Sequence, residues 1–331
     1  MLDWSVIFDA HLDLAFNAAE GRDLTRPLPQ SMNGETAIVN FESLKQAGVR
    51  ACMGTLWAYP RSTDHPQGYV TAQEARTLAL EQLDQYLRWQ DQGHIRLLTS
   101  GSELLEHWNN HDADAPLGVI LLMEGADPIV DPADLQFWHR EGLRVVGLAW
   151  ERTRYSGGTN APGGLTPEGV ELVHAIRDLN LTLDASHLAE QAFWEMVEIH
   201  QKVIASHSNA QALIPTDRQL SDAMIRKIGE MDGMIGLVMF SSFIKKGFKR
   251  GMPKQDVGFA DLLVHAEHIA GLIGWNRIGL GSDLDGGFGL ERTPRELLHL
   301  KDLEQFFQLV PEPARAGVQF QNWLTWLARS I

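Results

Sequence analysis

A (β/α)8 TIM barrel of the α/β class, with a βα-loop insertion and an extra C-terminal helix, is the architecture that this 331-residue chain predicts. Three observations lead there. Eight short apolar runs rich in Val, Ile, Leu and Gly recur along the chain, and continuous apolar character marks strands buried on both faces. Segments of helical period separate them. No dinucleotide fingerprint or Walker loop follows any run, so the doubly wound open sheet, the structural alternative, lacks its usual ligand motif.

The runs fall at residues 6–13, 49–57, 117–127, 143–150, 181–188, 203–208, 234–240 and 277–286. After the second run, residues 59–93 form the insertion and hold a helical pattern over 71–90. The third run leads to a helix over 132–141. The fourth is followed by a glycine-rich stretch, Tyr155-Ser156-Gly157-Gly158 through Gly163-Gly164, which sits where a barrel keeps its functional loops and reads as a lid. A helix over 166–179 comes next, opened by Thr166-Pro167-Glu168, a cap followed by proline at the first helical position. Helices over 189–201, 217–231 and 258–273 follow the fifth, sixth and seventh runs. A last barrel helix over 294–309 is expected from the cap, proline and early glutamate of Thr293-Pro294-Arg295-Glu296. Trp323 and Trp326, on the extra helix, read as packing. No repeat or low-complexity linker interrupts the pattern, and one domain over residues 1–331 is expected.

Composition narrows the function. Lys plus Arg number 28 against 43 Asp plus Glu, a net charge of −15, whereas nucleic-acid binding requires clustered positive charge. No window approaches about 18 consecutive apolar residues, so no membrane span is expected. The single cysteine, Cys52, leaves no intrachain disulfide and no cysteine-rich metal site. The first residues carry Asp3, Asp9 and Asp13 and lack the basic start and apolar run of a secretory signal, so a cytoplasmic location is expected.

Polar residues at the ends of the runs carry the chemistry. The first ends Phe8-Asp9-Ala10-His11-Leu12-Asp13, and the period of two sends His11 and Asp13 to the same face. The third delivers Glu124, the fifth ends Asp184-Ala185-Ser186-His187, the sixth Ser206-His207-Ser208, and the eighth Gly281-Ser282-Asp283-Leu284-Asp285-Gly286. Barrel enzymes draw their catalytic groups from these C-terminal strand ends. Taken singly, a histidine here is more often a satisfied, partly buried residue than a ligand. Taken together, so many imidazoles and carboxylates would be costly to bury unpaired, and they suit zinc or a similar divalent ion, with a carboxylate-bridged pair of ions expected. Other features weigh less. Asp283 to Gly287 only superficially resembles a calcium loop, because Phe288 and Pro294 stand where glycine and glutamate belong. His265 and His268 read as an interhelical or solvated pair, and Lys245, Lys246, Lys249, Arg250 and Lys254 as a solvated basic loop.

These pieces resemble the membrane (renal) dipeptidase family of zinc peptidases, within the amidohydrolase-like barrels. The matching segments are Asp9-Ala10-His11-Leu12-Asp13, Glu124-Gly125, Asp184-Ala185-Ser186-His187, Ile204-Ala205-Ser206-His207-Ser208, Thr216-Asp217-Arg218, Gly281-Ser282-Asp283-Leu284-Asp285-Gly286 and Gly317-Val318-Gln319-Phe320, in the family's order. The resemblance implies two zinc ions per chain, one held by His11, Asp13 and Glu124 and the other by Glu124, His187 and His207, with Glu124 bridging. It implies Asp283 as general acid/base and Arg218 as the clamp on the substrate carboxylate. The substrate it implies is a dipeptide, including ones ending in a D-residue; an N-acyl amino acid or other small amide is the alternative, and a silent metal-stabilised scaffold a third reading. A homodimer is left open. One departure stands out: many members carry a substrate-contacting histidine at the end of strand four, where this chain has Trp150, a hydrogen-bond donor that cannot become a cation. Arg152 and Arg154 are the nearby cations that would stand in for it.

Overall fold

The computed structural model describes residues 6–331 apart from residues 33, 63, 64, 111 and 113. Numbering only the barrel strands, the order is β1 (Ile7–Leu12), β2 (Val49–Trp57), β3 (Leu117–Glu124), β4 (Leu143–Gly147), β5 (Thr182–Asp184), β6 (Val203–Ile204), β7 (Ile235–Leu237) and β8 (Ile278–Leu280). Every neighbouring pair is parallel, in the order β6-β5-β4-β3-β2-β1-β8-β7. A parallel bridge between Ala205 and Ile235 brings the two ends of that series together, with Ala205 N donating to Met234 O and Gly236 N to Ala205 O, each at 2.8 Å. The eight predicted runs are these eight strands. An extra strand, Ile95–Leu97, flanks the start of β3, and two short hairpins join Gln30–Met32 to Glu35–Ala37 and Ser156–Gly158 to Ala161–Leu165.

Two apolar layers hold the barrel. One lies between strands and surrounding helices; the other fills the barrel interior with Phe8, Ala10, Ala51, Met53, Ile120, Leu122, Val145 and Ile204. The C-terminal helix Asn322–Ser330 closes the end of the barrel where the strands begin. Trp323 Nε1 donates to Leu280 O at 2.9 Å and Trp326 Nε1 to Asp232 O at 2.6 Å, so both indoles bury their rings without losing a hydrogen bond.

The period of two lifts functional groups onto the opposite end. On β3, Ile120 and Leu122 face inward and Glu124 is the next inward position; on β2, Ala51 and Met53 lead up to Thr55. On β1 this alternation alone would fail, because Phe8 and Ala10 face inward and Leu12 would follow them. Between Asp9 and Leu12 the strand holds one residue more than its partner, Asp9 pairing with Cys52 but Leu12 with Gly54. This bulge reverses the parity and turns His11 and Asp13 inward above the core. Gly281 serves the same end: a Cβ there would lie 1.8 Å from Ser206 O, so only glycine lets β6 and β8 approach closely.

Helix Ala72–Asp91 occupies most of the predicted insertion and opens on a reciprocal Thr71/Glu74 cap. Helix Pro167–Asp178 starts at the Thr166-Pro167 signal as expected. The start expected at 293–296 does not form. The Thr293 hydroxyl is committed to Leu290 O at 2.9 Å and to Lys254 Nζ at 2.6 Å, while Glu296 accepts from Phe259 N at 2.9 Å and so caps a different helix, Phe259–Ile273. The last barrel helix begins at Leu303 instead.

Candidate metal centre

The structure gathers His11, Asp13, Glu124, His187, His207 and Asp283 at the C-terminal end of the barrel, all buried. Ligand atoms of His11, Glu124 and His207 lie within 4.8 Å of one another, and so do those of His11, Asp13 and Asp283. Glu124 divides its two oxygens: Oε2 is 3.6 Å from His11 Nε2, while Oε1 is 3.2 Å from His187 Nε2 and 3.4 Å from His207 Nε2. His11 Nε2 is 3.8 Å from Asp13 Oδ1, so these two residues do face the same way. His187 Nε2 and His207 Nε2 converge to 3.0 Å. Two of the six, His187 at φ 65° and Asp283 at φ 58°, sit in the left-handed region, which Asp enters readily and most other side chains rarely.

Burial opposes charge on each group, and the neighbours decide the outcome. Burial lowers His187 to about 4, with Arg218 adding to the effect, and takes His207 well below the usual histidine range, so both are neutral imidazoles. For His11, burial is outweighed by the carboxylates of Glu124, Asp13 and Asp283, and the ring rises to about 10. Burial would raise Glu124, but His11 and His187 hold it well below the carboxylate range. Asp13 rises to about 6 through burial and the charge of Glu124. Asp283 is pushed well above the carboxylate range by burial, with Asp13 and Glu124 adding and His11 and Arg218 opposing. An ionised carboxylate facing the two neutral imidazoles of His187 and His207 is a donor set suited to a divalent cation of the zinc type.

Arg218 is buried beside this cluster, donating from Nη1 to Ser208 Oγ at 3.1 Å and from Nη2 to His207 O at 2.7 Å, and lying over the Phe243 ring. Its Nε has no partner among the described residues. Trp150 is half-buried, 5.1 Å from the Trp57 ring and 6.0 Å from His187, and packs with Phe16, Trp57 and Tyr59 into an aromatic wall at the mouth.

Several expectations change. Arg152 and Arg154 do not reach toward the cluster: Arg152 Nη2 donates to Pro162 O at 2.7 Å, and Arg154 is taken up by the carbonyls of Val130 and Ile129 and by the Tyr155 hydroxyl. The glycine-rich stretch folds into a packed hairpin, in which a Cβ on Gly157 would meet Gly163 N at 2.6 Å. Its turn is held by Asn160 N donating to Asp217 Oδ2 at 2.8 Å, and its Thr159 Oγ1 lies 3.1 Å from His187 Nδ1. The basic segment is partly internal, with Lys254 Nζ donating to Leu290 O and Leu297 O at 2.6 and 2.7 Å and Arg250 3.2 Å from Glu35. His265 is interhelical as expected, accepting from Ala210 N and bonding Ile244 O.

Asp285, close in sequence to Asp283, turns away to a structural role. It pairs with Arg22 at 2.7 Å and accepts from Ile38 N and Val39 N, tying β8 to the segment before β2. Asp285→Ala removes the carboxylate paired with the buried Arg22 guanidinium, and a loss of about 3–5 kcal/mol in a denaturant melt is expected with bound metal unchanged. Metal loss at unchanged stability would place Asp285 in the ion site instead. Asp9 and Asp184 have no role that the sequence alone assigns. Each grips the serine of the neighbouring strand end: Asp9 accepts from Ser282 N at 2.8 Å and from its hydroxyl, and Asp184 from Ser206 N at 2.8 Å and from its hydroxyl. Thr55, whose hydroxyl donates to Asp13 Oδ1, was missed outright; its place on an apolar strand facing the site is the only signal.

A cleft of about 610 Å3 opens at the start of β2 and β3, lined by Lys45, His94 and Asp114, at the far end of the barrel from this cluster.

Comparison with known proteins agrees with this geometry. The sequence profile described as membrane dipeptidase (peptidase family M19) matches residues 1–319. An uncharacterized Acinetobacter calcoaceticus protein from the PQQ-III 3′ region is 31% identical over 211 residues, 60% of this chain and 65% of its own length. Dipeptidase tcpJ of Claviceps purpurea is 29% identical over 194 residues, 57% of this chain and 43% of that protein. The chain therefore spans less than two thirds of the length of these two curated relatives. Among solved structures, a metallopeptidase of the same family named dipeptidase AC superposes with a TM-score of 0.83 at 25% identity, covering 99% of each chain. A Rhodobacter sphaeroides metallopeptidase, solved with a phosphinate mimic of the dipeptide L-Ala-D-Ala, shares the fold at TM-score 0.82 and 24% identity, covering 98% of this chain and 99% of that one. With the profile matched over residues 1–319 of 331, the chain belongs to the membrane dipeptidase family.

Proposed function

We propose that this protein hydrolyses dipeptides at a centre of two divalent ions, zinc in the first instance, held by His11, Asp13 and Glu124 on one side and by Glu124, His187 and His207 on the other. The observation that carries the reading is the divided Glu124 carboxylate, one oxygen turned to His11 and the other to His187 and His207. The residues fit such ions: His11 Nε2 is buried without a hydrogen-bond partner among the described residues, and the Nε2 atoms of two neutral imidazoles converge on one carboxylate oxygen. When bound, ions of this kind lower the pKa of water towards neutrality and polarise a carbonyl oxygen.

The chain's own groups do the rest. Asp283, buried beside His11 and Asp13, takes a proton as carboxylate from the attacking water, becomes the carboxylic acid, and passes that proton to the leaving amine. Arg218 keeps donors in reserve, its Nε and the second hydrogens of its terminal nitrogens, for a substrate carboxylate. Trp150 and its aromatic neighbours exclude water from the mouth and offer an indole N–H where a histidine is common in the family. The same proposal includes a single domain over residues 1–331 and a cytoplasmic location; among the described residues, no helix is long and apolar enough to cross a membrane.

Trp150 also favours a second reading, hydrolysis of an N-acyl amino acid, because it reshapes the pocket. A panel of dipeptides ending in L- or D-residues, their C-terminal amides and N-acyl amino acids separates the two. Dipeptides with a free carboxylate are expected to have the highest kcat/KM, and Arg218→Met to raise their KM at least about tenfold, the worth of one charge-assisted hydrogen bond, while leaving the amides little changed. Faster turnover of N-acyl amino acids would shift the assignment to the second reading, and equal turnover of acids and amides would remove Arg218 from its role.

A further inference from the structure

The hydroxyl of Ser206 touches too many buried groups to be a bystander. Its Oγ lies 2.5 Å from Asp184 Oδ2, 2.8 Å from His207 Nδ1 and 3.1 Å from His11 Nδ1, with a longer contact of 3.4 Å to Ser186 Oγ. All five side chains are buried. We propose that Ser206 is a positioning residue that sets the tautomer of His11 and His207 together, and that Asp184 sets the direction of Ser206. The inference rests on the reading of His11 and His207 as ligands of two different ions.

Counting protons gives the argument. A hydroxyl has one hydrogen and two lone pairs. Asp184 accepts from Ser186 N at 2.9 Å and from Ser206 N at 2.8 Å with Oδ1, and its Oδ2 takes the Ser206 hydrogen. Both lone pairs of Ser206 are then left to accept, one from His11 Nδ1–H and one from His207 Nδ1–H. Each ring is thereby fixed with a hydrogen on Nδ1 and with Nε2 as the nitrogen it offers to an ion, and both Nε2 atoms face Glu124, at 3.6 Å from Oε2 and 3.4 Å from Oε1. The nitrogen that binds metal is set by the hydrogen bond its partner nitrogen makes. One hydroxyl therefore prepares a ligand for each ion, and the two rings it serves lie with centroids 3.6 Å apart. His187 is prepared separately, through Thr159 Oγ1 at 3.1 Å.

This wiring predicts a pattern that general loosening of the site would not produce. Ser206→Ala removes the shared acceptor and should weaken both ions by about ten- to a hundredfold. Thr159→Ala should weaken one. Asp184→Asn should also weaken one: its carboxamide N–H must point at Ser206 Oγ, the Ser206 hydrogen must then turn to one histidine Nδ1, and only the other ring keeps its proper tautomer. The test combines zinc titration against a competing chelator with nitrogen NMR of histidine-labelled, metal-free chain, which reads tautomers directly, and a thermal melt of each variant. Wild type should show Nδ1–H on both His11 and His207. Two weakened ions in Ser206→Ala and one in Asp184→Asn support the proposal. Affinities and tautomers within twofold of wild type in Ser206→Ala overturn it; should that variant fail to fold, Asp184→Asn weakening neither ion or both equally does so. A wild-type chain that binds no zinc would sink the ligand reading instead, while the NMR result would still decide the tautomers.

Discussion

Replacing Asp283 by Asn is expected to lower kcat for dipeptide hydrolysis by about two to four orders of magnitude, the usual worth of a positioned general acid/base, with bound metal at the wild-type level. Asn is nearly isosteric and tolerates the left-handed backbone that Asp283 adopts, so the change removes the titrating carboxyl and little else. The placement explains the size of the effect. Asp283 sits just past the end of β8, a carboxylate oxygen within 4.8 Å of the ligand atoms of His11 and Asp13, and Gly286 N donates to its backbone carbonyl to hold the turn. Burial beside Asp13 and Glu124 raises the proton affinity of its carboxylate, so that a proton taken from water is held for the leaving amine. Near-normal turnover in the variant would remove Asp283 from the proton path. Loss of one ion would make it a ligand instead, a role its proximity to His11 and Asp13 allows chemically.

Glu124→Gln is expected to be the more damaging substitution: bound metal should fall from about two ions per chain to below one, and hydrolysis to background. The amide keeps shape but replaces one anionic oxygen with a donor, and no other carboxylate among the described residues is shown to reach His11, His187 and His207 together. An amide N–H facing a cation is repulsive and offers no lone pair to ligate it, whichever way the amide turns. His187→Ala is the control, because the proposal places His187 on one side only, and the change should cost one ion. Elemental analysis of the two purified variants checks both. Retention of two ions by Glu124→Gln would show that the carboxylate does not bridge.

The barrel was legible because its strands are buried on both faces and so stay apolar from end to end, which makes an inserted His, Glu or Asp conspicuous. His11 and Asp13 illustrate both the reach and the limit of that signal. Their shared face follows from the period of two, but their inward direction depends on a bulge that nothing in Asp9-Ala10-His11-Leu12 announces. Thr293-Pro294-Arg295-Glu296 shows how local chemistry misleads: the cap residues are real, but tertiary partners had already claimed them. The glycines at 157–164 read as mobility and turned out to permit close packing of a hairpin. Asp9 and Asp184 stayed silent for a different reason. Each works on a serine 273 or 22 residues away, and only the folded barrel makes those residues neighbours.

Titrating metal-free chain with zinc while following hydrolysis of a dipeptide tests the central claim most directly. The account predicts no turnover without metal, and full activity reached at about two equivalents per chain. Undiminished hydrolysis in the metal-free chain, or full activity at one equivalent with no further binding, would contradict a two-ion centre bridged by Glu124.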